Sequence, residues 1–388
     1  MSTNEIRHRF PGLQDGWARF DGPAGTQMLD VAIDAMTAFM RSGENANAGG
    51  FFAAGQASDQ LLREARLAVA ELLGAPAQGI VFGPNMTSLT FDFTRSVART
   101  LRPGDRVVGT ELDHDANITP WALACEDAGA EHVLAPIEAT SGRLVTDSII
   151  DLIDDRTRWV AVTGASNLLG TIVDLPPIIE AAHVRGARVF VDAVHLAPHR
   201  RIDFAALGAD VLVTSPYKWY GPHAGILAAR PELLAELVRY RVRPAPSTGA
   251  RAWETGTPAL ETLAGVRAAA TFLLEQGMDA VAESEGRVFA PLLEGLLAIP
   301  KVTVWGPPDL QDRTPTVAFT VRGVHPDEVA RRLAQARIAT WSGHSYAVEV
   351  VARLGLDASG GVVRAGVVRY TSPEEVAHLL AEVRSIAA

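Results

Sequence analysis

A single cysteine, Cys125, among 388 residues leaves no partner for an intramolecular disulfide. It also leaves no cysteine set for a structural zinc site, and no second histidine follows His114 at i+4, so no metal is expected. No run of ~18 apolar residues occurs, the length a membrane-spanning helix needs. The opening residues MSTNEIRHRF have no apolar signal core. A cytoplasmic protein that neither crosses nor anchors in a membrane is the expectation. Basic residues are not in excess: 35 Lys and Arg stand against 45 Asp and Glu, a net charge of −10. That balance argues against nucleic-acid and anionic-membrane partners, which need basic patches. A small anionic substrate held by local arginines remains compatible with it. Internal repeats and low-complexity tracts are lacking too.

What is present suits two domains around a large core. Hydrophobic residues make up 48% and charged residues 21%, ordinary globular values that exclude general disorder. Short apolar runs bounded by turn residues recur at Ile80–Phe82, Val107–Val108, Trp159–Thr163, Val189–Val191 and Val211–Val213. They alternate with helical patterns through residue 230, which predicts one large α/β domain with a mostly parallel sheet. Ser58 is expected to cap a helix whose core face is Leu61, Leu62, Ala65, Val69, Leu72 and Leu73. Pro231 to Arg243 reads as another helix, and Leu260 to about Leu297 as two long ones. After Pro300 the pattern shortens to strands near Thr303–Trp305, Val317–Val321, Ile338–Trp341 and Val362–Val367, with helices from Pro326 and Pro373. The expected division is an arm over 1–20 packed on the small domain, a large domain over 21–270 and a smaller α+β domain over 271–388.

Residues 188–225 organise the rest. Two of the predicted strands end there, one in Asp192 and one in the loop Thr214-Ser215-Pro216-Tyr217-Lys218. Each delivers a charge to the C-terminal edge of a sheet, where open α/β sheets bind ligands. A lysine in apolar surroundings can lose its proton and attack a carbonyl. A buried carboxylate can keep a ring nitrogen protonated, because an opposite charge within ~4–6 Å shifts a pKa by ~1–3 units. Pyridoxal phosphate uses both partners. By spacing alone, a surface lysine and a capping aspartate would serve as well.

A second feature precedes it. The run Ile80–Phe82 leads through Gly83-Pro84-Asn85-Met86-Thr87-Ser88 into a helix. Strand, small-residue turn and helix N-terminus make an anion site from free N–H groups and the helix dipole. Its donors are the N–H groups of Met86 and Thr87 with a side-chain contact from Asn85 or Thr87. N-capping by Asn85 or Thr87 is the alternative.

Val191-Asp192-Ala193-Val194-His195 followed by Ser215-Pro216-Tyr217-Lys218 resembles the cofactor segment of the class V aminotransferases. The likeness lies in the cysteine desulfurase-like and selenocysteine lyase-like branch. It implies a fold-type I pyridoxal 5'-phosphate enzyme: a large domain with a mostly parallel seven-stranded sheet and a smaller C-terminal α+β domain. It implies that Lys218 is the Schiff-base lysine, that Asp192 pairs with the ring nitrogen and that His195 sits near the phenolic oxygen. Ser215 would contact the phosphate. Tyr217 stands where the family usually has histidine, and its phenol could donate to the cofactor instead.

Other motifs extend the likeness. Asp113-His114-Asp115-Ala116-Asn117 with Pro120-Trp121 is similar to Glu-His-His-Ala-Asn-x-x-Pro-Trp, which implies that His114 stacks on the ring and relays protons. Without the match, His114 would read as an exposed loop residue. Ser166-Asn167-Leu168-Leu169-Gly170-Thr171 matches Ser-Asn-x-x-Gly-Thr, which implies that Asn167 lies near the phenolic oxygen and the substrate carboxylate. An Asn supporting a turn is the plain alternative. The segment Phe20 to Gln27, with Gly25, resembles the loop lining the family's substrate pocket. Trp253 to Pro258 resembles Phe-Glu-x-Gly-Thr-Pro, which implies that Gly256 and Thr257 reach the partner subunit's cofactor phosphate in a homodimer with shared active sites. In Gly361 to Tyr370, Arg364 would fork the substrate α-carboxylate.

One position departs. Ala339 to Ala347 is similar to the desulfurase segment Arg-Thr-Gly-His-His-Cys-Ala, with Tyr346 at the cysteine. A phenol of pKa ≈ 10 cannot stand in for a sulfur-accepting thiolate. Cys125, on a helix after Pro120, reads as a packing residue. The expected activity is that of a lyase on a β-substituted, sulfur-containing amino acid, working without a persulfide cysteine. An aminotransferase, an amino-acid epimerase and a non-catalytic regulator on the same fold are the alternatives. Residues 43–57, rich in Gly, Ala and Asn, read as a loop whose Gly49 and Gly50 leave room for a bulkier substrate or form a mobile lid.

Overall fold

Seven apolar runs pair into one sheet in a computed structural model that describes residues 3–388. In chain order the strands are β1 (Ala18–Arg19), β2 (Ile80–Gly83), β3 (Arg106–Thr110), β4 (Glu131–Ala135) and β5 (Thr157–Thr163). Then come β6 (Arg188–Asp192), β7 (Val211–Thr214), β8 (Gly225–Ala229), β9 (Val302–Trp305) and β10 (Thr316–Val321). The last three are β11 (Ile338–Ala339), β12 (Trp341–Gly343) and β13 (Val362–Gly366).

The large sheet has the order β2-β8-β7-β6-β5-β3-β4. Strands β4, β3, β5, β6 and β7 are mutually parallel, while β8 runs antiparallel between β7 and β2. Val189, Phe190, Val191, Val211, Leu212 and Val213 are sealed from solvent. Strands covered on both faces must be apolar throughout, which is why these runs do not alternate. Because β5, β6 and β7 are neighbours and parallel, their C-terminal residues Thr163, Asp192 and Thr214 collect at one edge.

A second, antiparallel sheet has the order β12-β13-β10-β9. The helices Met278–Leu297 and Pro373–Ala387 share a core with it, through Phe289, Leu292, Leu379 and Val383 against Val317, Phe319 and Val363. β1 pairs with β11, Phe20 sits in that core, and Arg7 meets Glu375 at 2.8 Å, so the N-terminal segment lies against these C-terminal elements. Residue 270 falls inside the helix Leu260–Gln276, which packs on the helices Asp30–Arg41 and Ala53–Leu73. The chain turns at Gly277, at φ 74°, before the next helix.

Three local expectations fail. Ser58 does not cap a helix, because the helix already begins at Ala53, where two alanines favour it. The Ser58 hydroxyl instead donates to the Ala46 carbonyl and ties down the preceding loop. The helix from Pro231 stops at Glu236, with Leu237 extended. Beyond it Val238, Tyr240 and Val242 alternate with arginines, a period of two with no helical face to bury. The run Ile338–Trp341 is two strands, not one: the chain changes sheets at Thr340, pairing β11 with β1 and β12 with β13. No helix among the described residues is long and apolar enough to cross a membrane.

Candidate active site

Asp192 closes β6, and Lys218 ends the short helix Pro216–Lys218 that follows β7. Both line one chamber at the C-terminal edge of the sheet and are only 4% and 9% exposed. Burial pushes the Asp192 carboxyl up to about 6, while the Val194 N–H, 2.9 Å from Oδ1, and Lys218 pull it back. Burial pushes the Lys218 amine down to about 7; the Arg364 guanidinium acts in the same sense and Asp192 opposes it. A lysine in that range is substantially neutral at physiological pH and therefore nucleophilic. The chain contains only one other lysine, Lys301, which is exposed and donates to the terminal Ala388 carbonyl.

The lysine turn is clamped from the N-terminal side. Thr26 N–H donates to Tyr217 O at 2.9 Å, the Thr26 hydroxyl accepts from Tyr220 N–H at 2.9 Å, and Leu29 N–H donates to Tyr220 O at 3.1 Å. Tyr220 itself is left-handed, at φ 71°, a conformation that persists in a bulky residue only under such constraint. Lys218 Nζ donates to the Pro23 carbonyl. Ala24 lines the chamber, whereas Gly25 lies behind it: a Cβ there would touch the Tyr217 ring at 3.4 Å.

At the other end stands the helix Met86–Ala98. Asn85 Oδ1 accepts from Ser88 N–H at 2.8 Å, so the capping alternative describes Asn85. The first N–H groups of a helix have no partner within it, and Met86 and Thr87 line the chamber beside Ser215. The loop reaches this place because β8 begins with glycine: a Cβ on Gly225 would lie 2.3 Å from the Asn85 carbonyl carbon.

His114 covers the chamber from β3's side. Its Nδ1 accepts from Ala116 N–H at 3.0 Å, and burial, with help from Lys218 and Arg364, pushes it down to about 4. Beneath it lies a group that sequence reasoning passed over. Asp113 has no solvent contact and is pushed up to about 8 by burial, with the Asp192 charge adding to the shift. It accepts from the Thr110 hydroxyl and from Asn117 Nδ2, the latter at 2.7 Å. Its place in the motif beside His114 was the available signal.

His195 Nε2 lies 3.0 Å from the Thr316 hydroxyl. Asn167 Nδ2 donates to Ser345 O at 2.8 Å, and Arg364 donates to Asn167 O at 2.8 Å. Burial lowers the Arg364 guanidinium to about 10. His195 Nδ1, Asn167 Oδ1 and Arg364 Nε have no hydrogen-bond partner among the described residues. Each buried polar atom left so costs about 1–3 kcal/mol, so the chamber is built for a polar occupant. A nucleophilic lysine, a carboxylate and a helix N-terminus facing one space fit a group with an aldehyde, a basic ring nitrogen and a phosphate. Gly256 and Thr257 are elsewhere in the same chain, in a recess with Phe82 and Trp253. Among the described residues no group of three or more His, Cys, Asp or Glu could hold a metal ion.

Comparison with known proteins gives the same direction. The family described as aminotransferase class-V matches residues 19–379. An uncharacterized protein of Mycobacterium tuberculosis is 33% identical over 397 residues, 98% of each chain. The cysteine desulfurase of Salmonella gallinarum is 31% identical over 409 residues, 99% of this chain and 98% of its own. The apo structure of a cysteine desulfurase from Thermococcus onnurineus superposes with a TM-score of 0.92 at 26% identity, covering 99% of this chain and 98% of that one.

Proposed function

The chain belongs to the class-V aminotransferase family, as a cysteine desulfurase-like pyridoxal-phosphate enzyme, and we propose that it is a lyase acting on a β-substituted, sulfur-containing α-amino acid. The observation that carries this reading is the joint burial of Lys218 and Asp192 in a chamber that also holds Arg364 and whose wall presents Tyr346 in place of a thiol. Pyridoxal phosphate, when bound, supplies an electron sink for the pair released as a bond to the substrate Cα breaks.

The residues divide the remaining work. Lys218 is the covalent anchor and, when free, the base that takes the Cα proton on Nζ. Asp192 would face the ring nitrogen and keep its proton in place. Met86, Thr87 and Ser215 would hold the phosphate, His195 and Asn167 the phenolic oxygen, and Tyr217 would add a phenol donor. His114, a neutral imidazole, would lie over the ring. Arg364, with Asn167, orients the substrate carboxylate. Gly256 and Thr257, in their separate recess, would reach the cofactor of a second copy in a homodimer with shared sites.

No thiol serves the chemistry. Cys125 is packed among Val107, Trp121 and Trp159, donates to the Glu131 carbonyl at 3.7 Å, and burial pushes its thiol up to about 11. A thiolate there is not available to take sulfur. Product analysis with candidate amino acids tests the assignment. A keto acid with ammonia and the released sulfur group supports the lyase. Accumulated pyridoxamine phosphate with a keto acid would make the enzyme an aminotransferase, and lost optical purity alone an epimerase.

A further inference from the structure

The segment Trp341–Tyr346 forms the outer wall of the chamber above Lys218. This outer space holds about 490 Å³, with Ala24, His114, Tyr217 and Arg364 on its other sides. The wall is strained. Ser345 and Tyr346 are consecutive and both left-handed, at φ 49° and 60°. A side chain in that region crowds its own backbone, and such strain persists only where surroundings over-determine it. Here they do. Asn167 Nδ2 donates to Ser345 O at 2.8 Å, Asp115 N–H donates to Tyr346 O at 2.8 Å, and Tyr346 N–H donates to His344 Nδ1 at 3.0 Å. Two of these bonds span the chamber from the large sheet's loops.

The strain fixes where an aromatic ring points. Tyr346 lies flat on His114, 5.2 Å between centroids and 20° between planes, yet stays 64% exposed. Trp341, on the same wall, is 54% exposed. Large rings left open inside a concave site offer apolar area and quadrupole faces for a flat group to cover. Charge adds a second constraint. The outer lining contains the Arg364 guanidinium and no carboxylate. A cationic substrate side chain would find no anionic partner there.

We infer that the Trp341–Tyr346 wall is a side-chain subsite that selects an α-amino acid with an aromatic β-substituent, such as an S-aryl or S-aralkyl cysteine, and rejects a cationic one. The inference rests on the amino-acid reading above and names the substrate class of that same site. Tyr346 is then the specificity-determining residue, at the position where the similar motif carries cysteine.

The test is a titration of the holoenzyme with three thioethers, S-benzyl-L-cysteine, S-methyl-L-cysteine and S-(2-aminoethyl)-L-cysteine, read by the change in the bound cofactor's visible absorbance. The benzyl compound should bind about tenfold tighter than the methyl compound, and the aminoethyl compound weakest. Tyr346→Phe should preserve that ratio, and Tyr346→Ala should bring it to within about twofold. If the methyl compound binds as tightly as the benzyl compound to the unaltered enzyme, the subsite is wrong and the amino-acid reading stands. If none of the three perturbs the absorbance, the amino-acid reading fails and takes the subsite with it. The comparison on the unaltered enzyme decides even if Tyr346→Ala does not fold.

Discussion

Glu285 and His199 meet at 2.8 Å with both side chains buried, and the second Glu285 oxygen accepts from the Tyr220 hydroxyl at 3.3 Å. One carboxylate on the helix Met278–Leu297 thereby ties the loop after β6 to the strained residue just past Lys218. The Tyr220 oxygen also accepts from Arg369 N–H at 3.1 Å. Glu285→Ala leaves a buried imidazole and a buried phenol without their partner. It should cost about 2–4 kcal/mol, with Glu285→Gln costing less. Chemical denaturation of both variants measures this, and an unchanged midpoint for the alanine variant would refute it.

With only two lysines in the chain, cofactor attachment is easily located. Borohydride reduction of the holoenzyme should fix the cofactor to the peptide containing Lys218 and not to the one containing Lys301, as read by mass spectrometry. Lys218→Ala should abolish that adduct and lower turnover by about 10²–10⁴-fold, the usual contribution of a positioned base.

The Lys218 amine sits at about 7 instead of the ordinary lysine value of 10.5, because burial opposes its charge. Cofactor uptake by the apoprotein should therefore be slow below pH 7 and rise to a plateau above it. Asp192, at about 6, is ionised over the same range. The sign for stability follows. Between about 7 and 10.5 the unfolded chain binds a proton at this lysine that the folded chain does not, so the contribution of Lys218 to apoprotein stability rises with pH through that window and should vanish in Lys218→Ala. Stopped-flow absorbance across pH checks the first expectation and melting curves the second; uptake fastest at pH 5 would overturn the assignment.

Arg364→Lys keeps a charge and loses the planar fork. Losing one charge-assisted hydrogen bond of about 1.5–3 kcal/mol predicts a KM for the amino acid raised about 10- to 100-fold, with a smaller change in kcat. Steady-state kinetics separates the two, and a purely kcat effect would point to a role other than carboxylate binding.

Gly225→Ala drives a methyl group into the Asn85 carbonyl. Overpacking of this kind costs about 1–3 kcal/mol, and the loop that must give is the one carrying Met86 and Thr87. The expected result is a lower melting temperature together with weaker retention of cofactor on dialysis. Loss of stability with full retention would separate this loop from phosphate binding.

Much of this arrangement was legible from local pattern. Apolar runs ending in Asp192 and in the turn to Lys218 already mark two buried strands, and a parallel sheet has only one edge at which their C-terminal ends can lie. The turn at Asn85 announces a helix N-terminus for the same kind of reason, since composition and period act over a few residues. Ser58 and the stretch after Glu236 misled because small residues and alternating arginines are ambiguous at that range. What no local pattern could supply was the meeting of distant side chains: His195 with Thr316, Tyr220 with Glu285, Tyr346 on His114. The proton affinities of Lys218, Asp113 and Asp192 belong with those contacts, because they are set by exclusion of water, and water is excluded only once the sheet, the lysine turn and the C-terminal wall have closed on one another.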